Sequence, residues 1–118
     1  PLPEYYHIPQ RTADIINTAL RQERRIVALG TSTTRALESA AAGTNRVVAG
    51  EGTATLRLSA TYQRKVVTGL LTGMHDDGSS HLELLQSFVP NDLIEQGYEG
   101  AKERGFLWHE YGDSCLIV

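Results

Sequence analysis

Residues 25–39 read Arg-Ile-Val-Ala-Leu-Gly-Thr-Ser-Thr-Thr-Arg-Ala-Leu-Glu-Ser, and this stretch decides the fold class. Arg25 to Leu29 is a short apolar run with the composition of a strand. Gly30 stops it, and a helix follows at once from Ser32 to about Ala42, with Gly43 as its C-terminal stop. A strand that turns directly into a helix is the unit from which α/β sheets are assembled.

Upstream, Ile15, Ile16, Ala19 and Leu20 recur at helical spacing, predicting a helix from Thr12 to near Arg24. Residues 1–10, rich in Pro and Tyr, read as an irregular lead-in. Downstream, Thr53 to Ser59 alternates and Lys65 to Thr72 is apolar. These predict two strands of a central hairpin, connected by Ala60 to Arg64. Ser80 with Glu83 fits a capping box opening a helix to about Phe88. Asp92 with Glu95 repeats the signature, and Leu93, Ile94, Tyr98 and Ala101 continue a helix that Gly105 closes. Phe106 to Glu110 and Ser114 to Val118 read as short strands around Tyr111-Gly112-Asp113. The expected fold is therefore α/β, a mixed sheet covered by helices, with residues 1–118 forming a single domain or subdomain.

The chain has 118 residues, enough to bury a core of its own, and 41% hydrophobic with 21% charged residues argues for a globular class over disorder. A net charge of -3 argues against wholesale attraction to nucleic acid, although eleven Lys and Arg could still form a local basic face. The single cysteine, Cys115, makes no intrachain disulfide and fits a reducing cytosol. Within its apolar strand it reads as a small buried hydrophobe rather than a nucleophile. No apolar run approaches the roughly 18 residues of a membrane span, and no charged-then-apolar leader opens the chain. The chain starts at Pro1 rather than Met, so a segment of something longer is expected.

Three stretches could carry chemistry. The first is Gly30 to Ser39, where a strand meets a helix start. Free N–H groups and the positive dipole end can hold an anion there, and Thr31 and Ser32 add hydroxyls. Arg35 shares a helix face with Thr31 and Glu38; an ordinary N-cap with an Arg–Glu surface pair is the bland alternative. The second is Thr72 to Ser80, at the end of a strand, where His75 could act as acid or base near neutral pH. A solvated turn competes with that reading, and a metal cluster of His75, Asp76, Asp77 and His81 matches no metal-binding spacing. The third is His109 to Ser114, where either a hairpin turn or a functional Asp113 carboxylate fits. Arg57, Arg64 and Lys65 read as a solvated edge, with phosphate contact as the alternative, and Tyr5 and Tyr6 as packing residues.

Taken in order, these stretches resemble one family. Residues 25–39 are similar to the strand–Gly-Thr-Thr–x–x–Arg–x–Leu-Glu segment of the S-adenosylmethionine:tRNA ribosyltransferase-isomerases of queuosine biosynthesis. Val-Val-Thr-Gly-Leu-Leu-Thr-Gly-Met-His, residues 66–75, resembles their Val-Asp-x-Leu-Leu-Thr-Asn-Phe-His segment. Tyr-Gly-Asp-Ser-Cys-Leu-Ile, residues 111–117, resembles their terminal Tyr-Gly-Asp-Ala-Met-Leu-Ile. The resemblance runs over about residues 8–118.

The resemblance implies that this chain is the last part of a larger, barrel-like α/β domain, inactive alone. It implies S-adenosylmethionine as co-substrate, no metal, a tRNA anticodon as partner and a cytoplasmic location. The implied reaction moves the ribosyl group of S-adenosylmethionine to 7-aminomethyl-7-deazaguanine in tRNA and gives epoxyqueuosine. Carried over by position, His75 and Asp113 are the catalytic candidates. Gly30, Thr31, Ser32, Arg35, Glu38, Thr72, Tyr111 and Gly112 would hold the ligand. Thr68 stands where the family usually has Asp, and Gly73-Met74 replaces Asn-Phe. Asp76-Asp77-Gly78-Ser79-Ser80-His81 replaces a Leu-Pro-x-Ser-Thr-Leu stretch, adding two carboxylates beside His75. The other readings are a non-catalytic S-adenosylmethionine, nucleotide or RNA binding module, and a structural remnant whose uncovered apolar face drives self-association.

Overall fold

Glycine and apolar residues set the skeleton of the computed structural model, which describes residues 1–74, 80–108 and 112–118. The elements in order are β1 (Glu4–Ile8), α1 (Gln10–Arg21), β2 (Val27–Leu29), α2 (Thr31–Ala40) and β3 (Gly50–Ala54). Then come β4 (Gly69–Gly73), α3 (Ser80–Leu85), α4 (Asn91–Glu103) and β5 (Ser114–Ile117). The class is mixed α/β, as the strand-to-helix unit predicts.

The central sheet has the order β2-β4-β5. β2 and β4 are parallel, with Ala28 opposite Leu70, while β5 runs antiparallel to β4, with Leu70 opposite Ile117. Ala28 and Leu70 point into the core at 2% and 0% exposure, where α2 packs against both strands. Leu85, Val47, Val66 and Val67 complete the most deeply buried set.

Several expectations are corrected. The lead-in is not irregular: Glu4 to Ile8 forms β1, antiparallel to β3, with Tyr6 opposite Gly52. Tyr6 packs against the core as expected, but Tyr5 is exposed and its hydroxyl donates to Glu51 at 2.6 Å. The central hairpin does not form. β3 ends at Ala54 and pairs with β1, β4 begins at Gly69, and the two lie in different sheets. The reason is on α2: the Glu38 carboxylate captures the N–H groups of Lys65, Val66 and Val67, which a strand ladder would need. No strand forms over 106–108; residues 109–111 of that predicted strand lie outside the described residues.

The Asp92–Glu95 capping box is also replaced. Helix α4 starts after Pro90 with no side-chain cap, and Asn91 Nδ2 takes Glu95 at 2.9 Å instead. Helix α1 ends at Arg21, and Glu23 carries the chain out of it with a φ of +53°. No helix among the described residues is long and apolar enough to cross a membrane.

Candidate functional site

The three chemically suggestive stretches meet at one end of the central sheet. Parallel pairing puts the carboxyl ends of β2 and β4 side by side, and the Gly30 N–H donates to the Leu71 carbonyl at 2.9 Å. Antiparallel pairing brings the start of β5 to the same end, with Gly73 opposite Ser114. The Met74 N–H donates to the Asp113 carbonyl at 3.0 Å, so Asp113 sits beside the residue that precedes His75. The carboxyl ends of parallel strands are where α/β sheets place ligands.

At the β2 exit, Gly30 adopts a φ of +89°, a backbone conformation that a side chain would strain. It is the N-cap residue of α2, with no side-chain cap bond. The hydroxyl of Ser32 donates to Glu4 Oε2 at 2.6 Å, and Arg35 pairs with Glu4 Oε1. A carboxylate from β1 is thus held jointly by a hydroxyl and a guanidinium in the first turns of α2. Arg35 also donates to the carbonyls of Leu56, Leu2 and Ala54 at 3.2, 3.0 and 2.9 Å. It is a buried clamp on β1 and on the chain leaving β3. The expected Arg35–Glu38 surface pair is absent from these contacts, because both side chains point inward, at 5% and 0% exposure.

Glu38 has four donors. Oε1 accepts from the Lys65 N–H at 2.7 Å and the Tyr62 hydroxyl at 3.1 Å; Oε2 accepts from the Val66 and Val67 N–H groups, both at 2.8 Å. Burial first, then the charge of Glu38 and its hydrogen bond, push the Tyr62 phenol up to about 12. This anchoring role was absent from the sequence reading. Its signal was available: Thr34, Leu37, Glu38 and Ala41 fall at helical spacing, which puts a glutamate on the buried stripe of α2.

Thr68, in place of the family's usual Asp, pins β2 to the start of β4. Its hydroxyl accepts from the Ile26 N–H at 2.8 Å and donates to the Ile26 carbonyl at 3.2 Å. Thr72 is buried on β4 opposite Cys115. Cys115 is half-buried, and desolvation raises its thiol pKa.

At the β5 entry, Asp113 is tied to Leu107 in both directions. Its N–H donates to the Leu107 carbonyl at 2.8 Å, and its carboxylate accepts the Leu107 N–H at 2.7 Å. Gly112 lies so close to this strap that a Cβ would stand 2.3 Å from the Leu107 carbonyl oxygen. The strap therefore requires glycine there.

A cleft of about 620 Å³ lies beside the α2 start, lined by Glu4, Thr31, Arg35, Arg57, Ser80 and His81 among others. Arg57 is bound to Glu83 at 2.8 Å. Arg64 is not on a solvated edge: it donates to the Ser87 carbonyl at 3.0 Å and to the Val67 carbonyl. Its guanidinium carbon lies 4.0 Å from the Phe88 ring centroid, and desolvation lowers its pKa. His75 and Tyr111 lie outside the described residues, as do Asp76 and Asp77 of the imagined metal cluster.

Residues 1–117 match the model of a family described as queuosine biosynthesis protein. Over 114 residues the chain is 41% identical to the S-adenosylmethionine:tRNA ribosyltransferase-isomerase of Geobacter sulfurreducens, covering 97% of this chain and 33% of that protein. The namesake from Thermus thermophilus is 38% identical over 115 residues, 98% of this chain and 33% of its own length. A crystal structure of the S-adenosylmethionine tRNA ribosyltransferase from Thermotoga maritima superposes with a TM-score of 0.85 at 28% identity. The match covers 97% of this chain and 40% of that one. The chain thus spans about a third of the length of the curated relatives it matches.

Proposed function

The chain belongs to the queuosine biosynthesis protein family, and on that premise we propose that it is the C-terminal segment of a ribosyltransferase-isomerase. The full protein moves the ribosyl group of S-adenosylmethionine to 7-aminomethyl-7-deazaguanine in a tRNA anticodon, forming epoxyqueuosine. The segment forms the last part of a barrel-like α/β domain and is inactive alone. The observation that carries the reading is the meeting of the three motif stretches at the carboxyl ends of β2 and β4.

The chemistry sets the tasks. A sulfonium acidifies the adjacent ribose 5′ carbon, so a base must take a proton there. The aminomethyl group must then be held for attack on the ribose while adenine and methionine leave. Proton transfer and positioning are the protein's contributions. His75 is assigned the proton transfer, and Asp113 the partnering of the sulfonium or of the base. Gly30, Thr31 and Ser32 at the α2 start, with Thr72, Tyr111 and Gly112, are assigned the ligand's polar groups. Arg35 and Glu38 serve those groups through the walls they hold: Arg35 clamps β1 and the chain leaving β3, and Glu38 anchors residues 62–67. No metal takes part in this scheme. A tRNA substrate and a single free thiol fit a cytoplasmic protein.

The test joins this chain to the other two thirds of the Geobacter sulfurreducens relative. The hybrid is incubated with S-adenosylmethionine and a tRNA bearing 7-aminomethyl-7-deazaguanine. Release of adenine and methionine is expected, falling at least ~100-fold in His75→Ala. No release from a folded hybrid would sink the activity and leave the ancestry standing. Binding with the ligand unchanged would instead favour the non-catalytic module.

A further inference from the structure

The central sheet has two apolar faces and only one of them is covered. Ala28, Leu70 and Ile117 face the core. The alternate positions face outward: Val27 and Leu29 on β2, Leu71 on β4, and Leu116 on β5 with Val118 just beyond it. Their exposures are 42%, 67%, 36%, 58% and 71%. The register sets Leu29 beside Leu71 and Leu71 beside Leu116, so these side chains form one continuous row across three strands. Gly69 lies on the same side, with the Val27 and Val118 methyls around it, and no charged residue interrupts the row.

An alternating strand whose outward side is aliphatic is built for burial on both faces, as in α/β domains. We infer that this face is an internal interface of the full family protein, covered by an aliphatic surface from the two thirds of the relatives that this chain does not match. Size argues for that occupant over a second copy. Three strands about 4.8 Å apart, three residues deep at about 3.3 Å, make a patch on the order of 150 Å². A stable dimer needs about 800 Å² from each partner. So small a face is held when the covering piece belongs to the same folding unit. The inference rests on the family reading above but names the surface, which that reading does not.

The experiment co-expresses this chain with the unmatched two thirds of the Geobacter sulfurreducens relative. Sedimentation measures the complex. A soluble nitroxide reports which methyl groups remain accessible by NMR. A one-to-one complex is expected, with the Val27, Leu29, Leu71, Leu116 and Val118 methyls broadened in the chain alone and shielded in the complex. The pair Leu29→Glu and Leu116→Glu weakens association at least about tenfold, while Ile15→Glu, on the exposed side of α1, leaves it unchanged. The methyl readout needs no substitution, so a variant that fails to fold does not decide the matter.

No complex, a complex in which these methyls stay accessible, or a dimer of this chain burying them would each overturn the inference. Association is read without turnover. A complex through this face that releases no adenine overturns the activity alone. Turnover by a complex that leaves the face bare overturns this inference alone.

Discussion

The carboxylate of Glu38 accepts the backbone N–H of Val66 at 2.8 Å, across a sequence separation of 28 residues. With the Lys65 and Val67 N–H groups and the Tyr62 hydroxyl, it replaces a strand ladder by one side chain. Glu38→Ala leaves those backbone donors without their acceptor. Each such buried donor costs ~1–3 kcal/mol, so a loss of at least ~3 kcal/mol is expected in urea unfolding. Glu38→Gln, which keeps one acceptor oxygen, costs less. Equal stability of Glu38→Ala and the unsubstituted chain would show that the anchor does not hold residues 65–67.

The Tyr62 phenol, pushed up to about 12, ties stability to alkaline pH. The unfolded chain loses this proton near the usual tyrosine value of ~10, while the folded chain keeps it longer. The stabilisation is whole below about pH 10 and is lost as pH rises from there to about 12. Tyr62→Phe removes that slope. Phenolate absorbance should show one tyrosine among the five ionising late, and a Tyr62→Phe titration that retains it would refute the assignment.

Arg35 joins α2 to β1 and to the Ala54 and Leu56 carbonyls through a planar fork that lysine cannot imitate. Arg35→Lys should therefore rescue little of what Arg35→Ala loses. Hydrogen exchange in β1 and β3 should rise at least ~10-fold in both. Unchanged exchange would mean that the β1–β3 ladder stands without the clamp.

Gly112 packs against the Leu107 carbonyl at a distance no Cβ tolerates. Gly112→Ala should open the Leu107–Asp113 strap while β4 and β5 stay paired. A local loss of protection at the Leu107 amide, which donates to Asp113 at 2.7 Å, is the expected readout. Full protection would show that the strap tolerates a side chain.

Cys115 reports on the same region. Its thiol pKa is raised by burial, so a disulfide reagent at pH 8 should react more slowly than with free cysteine, and faster once the chain unfolds. Equal rates in both states would place the thiol in open solvent.

Much of the site was legible before any coordinates. The strand–Gly30–helix unit, the order of the three stretches and the helices after Ser80 and Pro90 depend on neighbours close in sequence, through periodicity and turn chemistry. Tertiary structure decided what depends on distant partners. Residues 65–67 have the composition of a strand, but Glu38 takes their N–H groups; Glu4 to Ile8 become a strand because β3 lies opposite. The functions of Arg35 and Glu38 as internal anchors follow from α2 facing inward at both. A backbone donor has one best acceptor, and which acceptor reaches it is settled by the packing of the whole chain rather than by the residue's neighbours.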